Sequence, residues 1–149
     1  MRVAIVGTRC LEGVALARAM VANAIRSHPD AIFCTGDADG IDAMVREESR
    51  LQDRLCVIFD VRPERLKQAG WDRRRRWRLL KSRNQDIVRW CTHLLRIYCP
   101  GSPTFGSGWT EQYARQQGRI ILPTIAIRCP RHQDEEALMG AEGFEPSVR

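Results

Sequence analysis

Apolar residues recur along this chain in two alternating rhythms. Short unbroken runs at residues 3–6, 31–35, 55–59, 93–98 and 120–127 have the pattern of strands buried on both faces. Between them, apolar positions return every three or four residues, as on one face of a helix. Leu11, Val14, Ala17, Val21 and Ile25 predict a helix over 11–27, and Ile41, Met44, Val45 and Leu51 one over 41–52. Ile87, Val88 and Trp90 predict a helix over 83–91, and a further helix over 110–117 ends at Gly118. Pro29-Asp30 breaks the first helical pattern, and Pro123 places the fifth strand at a sheet edge or a bend. Residues 63–81, with Gly70 and an arginine run, read as an irregular crossover holding one or two helical turns.

Strands alternating with helices predict an α/β fold, a Rossmann-like three-layer domain with a mostly parallel sheet. The runs at 3–6, 32–34 and 94–98 are expected in its middle. The domain is expected over residues 1–128, with a loose, charged tail over 129–149. In such sheets ligands sit beyond the carboxyl ends of the strands, at a topological switch point. Three stretches follow strands and so fall on that edge: Gly7-Thr-Arg9, Gly36-Asp-Ala-Asp-Gly-Ile-Asp42, and the segment from Gly101 to Glu111.

Each stretch suits a phosphate-bearing ligand. In Gly106-Ser-Gly-Trp-Thr-Glu111, Gly106 and Gly108 allow close backbone approach, and Ser107 and Thr110 offer hydroxyls. The free N–H groups of a starting helix attract anions. Thr8 and Arg9 suit a phosphate, although a plain strand-to-helix turn explains the same residues. Gly36 and Gly40 bracket a loop whose Asp39 or Asp42 would cap the next helix, accept from ribose hydroxyls, or, with Asp37, offer oxygens to Mg²⁺. In Lys81-Ser-Arg-Asn84, Arg83 supplies a guanidinium for phosphate and Asn84 a carboxamide for a base or ribose edge. The spacing G-x-G-x-x-G is absent after the first strand, as is Gly-Lys-Ser/Thr, which argues against a dinucleotide fingerprint or a P-loop.

Composition adds three points. With 149 residues, 44% hydrophobic and 28% charged, the chain suits one globular domain, and no apolar run reaches the length of a membrane span. The N-terminus enters a strand directly, without a signal-peptide layout, so a cytoplasmic location is expected. A net charge of +6 permits a polyanionic partner. Arg73, Arg74, Arg75 and Arg76, flanked by Trp71 and Trp77, are the densest basic run; they suit single-stranded nucleic acid or a solvated helix end anchored by its tryptophans. The six cysteines show no C-x-x-C pair and no zinc spacing, so they read as buried, reduced small hydrophobes and no metal site is expected.

Taken in order, Gly-Thr-Arg after the first strand, Thr-Gly-x-Ala-x-Gly-Ile-Asp after the second, Ser-Arg-Asn opening a later helix and Gly-Ser-Gly-x-Thr after the fourth resemble the SLOG superfamily. That superfamily joins Rossmann-like domains of DNA-processing protein A, the Lonely Guy phosphoribohydrolases and small stand-alone proteins such as the YspA-like group. The resemblance implies a nucleotide or nucleotide-derived ligand, in a sensor or binding module, held by Gly7, Thr8, Arg9, Gly36, Gly40, Asp42, Arg83, Asn84, Gly106, Ser107, Gly108 and Thr110. Related domains commonly pair, so a homodimer anchored by Trp71, Trp77 or Trp90 is expected. The chain departs from the Lonely Guy motif Pro-Gly-Gly-x-Gly-Thr-x-x-Glu: Tyr113 stands where the catalytic glutamate would be, and Trp109 replaces a glycine. A nucleoside monophosphate phosphoribohydrolase would therefore depend on Glu111 or Asp42. Glu111 lies roughly 200° around a helix from Tyr113.

Overall fold

The first strand, β1 (Arg2–Gly7), is the centre of the molecule, hydrogen-bonded on one side to β2 (Ile32–Gly36) and on the other to β4 (His93–Tyr98). Its Val3, Ala4, Ile5 and Val6 are all buried, so both faces of the strand are covered, as the unbroken apolar run requires. The computed structural model describes residues 1–102 and 106–132. β3 (Cys56–Phe59) pairs with the outer edge of β2. On the far side of β4 lie β5 (Ile120–Ile121) and β6 (Ile125–Ala126), two short pieces of one edge. All pairings are parallel and the order is β3-β2-β1-β4-β5, with β6 alongside β4. The fold is thus a mostly parallel α/β sheet of Rossmann-like type. The expected continuous fifth strand is split around Pro123, whose missing N–H cannot join a ladder.

Helices α1 (Ala15–Arg26) and α2 (Ile41–Leu51) cover one face of the sheet. Val21, Ile25, Ile41 and Val45 pack there against Val3, Ile5 and Phe33. On the other face, Ile87 and Val88 of α4 (Arg73–Trp90) and Ala114 of α5 (Gly106–Gln116) meet Ala4, Val6, Cys34 and Leu94. A 3-10 turn over Arg9–Leu11 and a turn through Gly13, at φ 76°, occupy what the sequence suggested as the first turn of α1.

The crossover after β3 is where expectation and structure part. Residues 63–81 are not irregular: α3 (Pro63–Ala69) is followed by the 18-residue α4, which runs straight through the arginines. Only the short link between them breaks the helical pattern. Gly70, at φ 59°, ends α3, and Asp72 caps α4 by accepting from the N–H groups of Arg74 and Arg75 at 3.0 and 3.2 Å. Arginine is a good helix former, so nothing after that cap interrupts the helix. The packed body also extends past residue 128, because Cys129 and His132 are buried. The rest of the expected tail, 133–149, lies outside the described residues.

Candidate functional site

A cavity of about 350 Å³ opens beyond the carboxyl ends of β1 and β4, the switch point of this strand order. Val6, Gly7, Thr8 and Arg9 line it from the end of β1, and Ala38 and Asp42 from the link into α2. One face of α4 supplies Trp77, Leu80, Arg83, Asn84 and Ile87. Ser102, Gly106, Ser107 and Thr110 close it from the β4–α5 side. Residues from all four sequence stretches therefore meet at one place. Its size lies near the lower end for small-molecule sites.

Three expected residues lie outside the cavity wall. Gly40, at φ 76° and the N-cap of α2, passes so close to the next loop that an added Cβ would lie 2.6 Å from the Thr8 carbonyl oxygen and from Arg9 Cα. Gly36 lies under the site: a Cβ there would stand 2.6 Å from Asp42 Oδ2 and 3.1 Å from Arg83 Cζ. Gly108 belongs to the first turns of α5 and is not in the cavity wall. Gly7, which does line the cavity, has no room for a side chain because Ile41 and the Ile97 carbonyl occupy that space.

Asp42 is almost completely buried at the start of α2. Burial pushes its carboxyl up from 3.8 to about 6, although Arg83, the Thr35 hydroxyl, the Ala38 N–H and Arg46 all pull the other way. A proton count agrees. Thr35 Oγ1 lies 2.8 Å from the Ile5 carbonyl oxygen and 3.1 Å from Asp42 Oδ1. One hydroxyl proton cannot serve both acceptors. Given to the Ile5 carbonyl, it leaves Asp42 to donate to Thr35 as a neutral acid. Asp42 Oδ2 meanwhile accepts from the Ala38 N–H at 3.3 Å.

Beside Asp42, Arg83 forms an ion pair with Asp37 and sends Nε and Nη2 to Asn84 Oδ1 at 3.1 and 3.0 Å. Asp37 also accepts from the Val61 N–H at 3.3 Å. The guanidinium of Arg9, by contrast, has no hydrogen-bond or ion-pair partner among the described residues. On the α5 side, Thr110 Oγ1 donates to the Gly106 carbonyl at 2.7 Å, and Ser107 Oγ accepts from Arg96 Nε at 3.2 Å. An added Cβ at Gly106 meets no atom of the described residues within 4 Å, so the missing side chain there leaves the cavity open.

Other expected residues lie elsewhere. Lys81-Ser-Arg-Asn84 opens no helix; it sits in the middle of α4, which aims Arg83 and Asn84 into the cavity. Glu111 points away from the cavity wall, toward Arg96 at 3.8 Å, Arg115 at 3.0 Å and Thr124 at 3.3 Å. Tyr113 stacks on Trp109 with ring centroids 5.1 Å apart, and Trp77 meets Trp109 edge-on at 6.0 Å. Trp90 packs on Phe59 and under Arg2 of the same chain. Trp71 does not pin the helix end to the body of its own chain among the described residues: it is 94% exposed, next to the exposed Arg73, Arg74 and Arg75. Arg76 turns back to the carbonyls of Gly70 and Leu66. Asp37 and Asp39 are exposed while Asp42 is buried, and the three do not form a donor cluster.

The sequence reading missed Trp77, Leu80 and Ile87. Their spacing with Asn84 is a helical face, visible only once 73–90 is read as one helix.

Fold and cavity together define a Rossmann-like α/β domain whose switch-point site sets a few polar and charged groups in a largely apolar wall. A solved structure similar to it is that of DNA processing protein A from Streptococcus pneumoniae, with a TM-score of 0.50 and 14% sequence identity over 83% of this chain. This chain spans 58% of the length of that one, and at such identity the likeness concerns the fold. No protein-family model matches the sequence, and no curated protein matches it. Among the described residues, no helix is long and apolar enough to cross a membrane.

Proposed function

We propose that the cavity binds a nucleotide or nucleotide-derived ligand, with a phosphate on the first turn of α5. The observation that carries this reading is convergence. Gly7-Thr-Arg9, Asp42, Arg83-Asn84 and Gly106-Ser107 with Thr110 come from separate parts of the chain and share one cavity wall. An anion there would meet the first N–H groups and positive dipole end of α5, with Arg9 and Arg83 in the same wall. Trp77 and Leu80 supply the apolar side on which a base or ribose can lie. The SLOG resemblance and a similar structure from a DNA-processing protein both suit a ligand of this class.

A panel of nucleoside monophosphates and diphosphates in a thermal-shift assay tests the proposal. A ligand at a hundred times its Kd stabilises the native state by about 2.7 kcal/mol, an easily read shift. No shift with any member, and no nucleotide released from the purified protein on denaturation, would remove it. A second reading, cleavage of a nucleoside monophosphate, has one observation in its favour. Asp42 is a cavity-lining acid held near neutrality at about 6, where general acids work. It predicts release of free base, lost in Asp42→Asn. An intact nucleotide after prolonged incubation leaves binding as the function.

A further inference from the structure

Away from the cavity's open side, four side chains from three distant parts of the chain bring their donor atoms together. Cys10 lies in the 3-10 turn after β1, Cys99 directly follows β4, and Cys129 and His132 follow β6. One donor atom of each lies within 4.8 Å of every other. His132 Nδ1 is 2.9 Å from Cys129 Sγ and 3.0 Å from Cys99 Sγ. Cys99, Cys129 and His132 are buried. We propose that Cys10, Cys99, Cys129 and His132 form a closed, tetrahedral Zn²⁺ site that fastens the segment after β6 to the loops beneath the cavity.

The donor set selects this ion. With Zn–S bonds of ~2.3 Å and Zn–N bonds of ~2.0–2.1 Å, tetrahedral ligands stand roughly 3.5–3.8 Å apart. All four donors lie within 4.8 Å of one another, and ion binding would move the His132 imidazole outward by roughly 0.5 Å from its 2.9 and 3.0 Å contacts with the two sulfurs. Three sulfurs and one imidazole nitrogen complete a four-coordinate structural site and leave no position for a substrate. Soft thiolates disfavour Mg²⁺ and Ca²⁺. A purely hydrogen-bonded cluster is poorly satisfied, because Nδ1 carries at most one proton and faces two sulfurs. A cation at the centre satisfies all four donors at once.

The surroundings are shaped to match. The Cys129 N–H points at Cys99 Sγ at 3.4 Å, the kind of backbone contact that supports a metal-bound thiolate. Gly101 makes room for the imidazole: an added Cβ would lie 2.6 Å from His132 Cγ. The Cys99 N–H donates to Thr8 Oγ1 at 3.1 Å, and Cys10 follows Arg9, so the ion would fix the loop that presents Thr8 and Arg9. The expectation of no metal site counted cysteine spacings and passed over Cys129-Pro-Arg-His132, a Cys-x-x-His pair. The other two ligands come from elsewhere in the chain. All six cysteines are free thiols in the structure.

The test uses the full chain, freed of any affinity tag and purified under reducing conditions. Elemental analysis should find one zinc per chain. Replacing it with Co²⁺ should give the intense visible bands of a tetrahedral ion and thiolate-to-cobalt charge transfer. Cys129→Ser and His132→Ala should each lose stoichiometric zinc, whereas Cys91→Ser, a buried cysteine outside the cluster, should keep it. If the ligand variants do not fold, chelator titration of the unaltered chain replaces them, with zinc release and a parallel loss of thermal stability as the expected result. Metal-free protein that gives no thiolate–cobalt bands overturns the proposal, as does iron in place of zinc. A disulfide among Cys10, Cys99 and Cys129 in freshly isolated protein also overturns it, assigning the cluster to thiol redox chemistry.

Discussion

Replacing Asp42 by asparagine should stabilise this protein at neutral pH, although it removes a buried charge-bearing group beside two arginines. In the folded state the Asp42 carboxyl titrates at about 6, against 3.8 for its ordinary value, chiefly because it is buried. Between these values the unfolded chain has released the proton while the folded chain still holds it. Stability therefore falls as pH rises through the window and stays lower above it. The difference corresponds to about 3 kcal/mol at pH 7. Asparagine keeps the hydrogen bonds of the neutral acid: its N–H can donate to Thr35 Oγ1 while its oxygen accepts from the Ala38 N–H. The variant should gain up to about 3 kcal/mol at pH 7, on the order of 6–12 °C in Tm for a chain of this size, and match the parent near pH 4. Urea unfolding of both proteins from pH 4 to pH 7.5 reads this directly. A variant less stable than the parent at pH 7, with no convergence at pH 4, would refute the reasoning. Asp42 would then be ionised and held by Arg83 and Arg46.

Two further substitutions probe the frame around the cavity and the surface beside it. Gly40→Ala forces a Cβ onto a backbone at φ 76° and against the Thr8 carbonyl, and should cost on the order of 1–3 kcal/mol or more in urea unfolding. An unchanged midpoint would show that the Thr8–Arg9 loop is free to move away. Replacing Arg73, Arg74 and Arg75 by serine should leave mononucleotide affinity unchanged, because these side chains are exposed and outside the cavity wall. If that surface and Trp71 hold single-stranded nucleic acid, the same variant lowers the salt slope of oligonucleotide binding by roughly 0.7 per lost phosphate contact.

The parallel sheet and its three central strands were legible because unbroken apolar runs such as 3–6 have few alternatives to burial on both faces, and parallel pairing follows from the helices between them. The residues after the strands were legible for a related reason: Thr8 directly follows β1, and Asp42 and Ser107 lie in the first turns of the helices that follow β2 and β4, so all three are carried to the same edge. The wall from α4 was not. Its arginines hid an amphipathic face, since Trp77, Leu80, Asn84 and Ile87 show as neighbours only at helical spacing and Gly70 suggested a longer break. Glu111 failed as a cavity residue because its face of α5 turns to Arg96 and Thr124. The convergence of Cys10, Cys99, Cys129 and His132 was hidden because three loops far apart in sequence contribute to it.

The most direct test of the central claim is the affinity of Gly106→Val for whichever nucleotide stabilises the parent protein, measured by titration calorimetry with circular dichroism as the control for folding. A Cβ at position 106 meets no atom of the described residues within 4 Å, so the fold should survive while the added groups fill the cavity beside Ser107 and Thr110. The account predicts a folded protein that no longer binds the nucleotide. A folded valine variant that binds with the parent's affinity would contradict it, because the ligand would then lie elsewhere than on the first turn of α5.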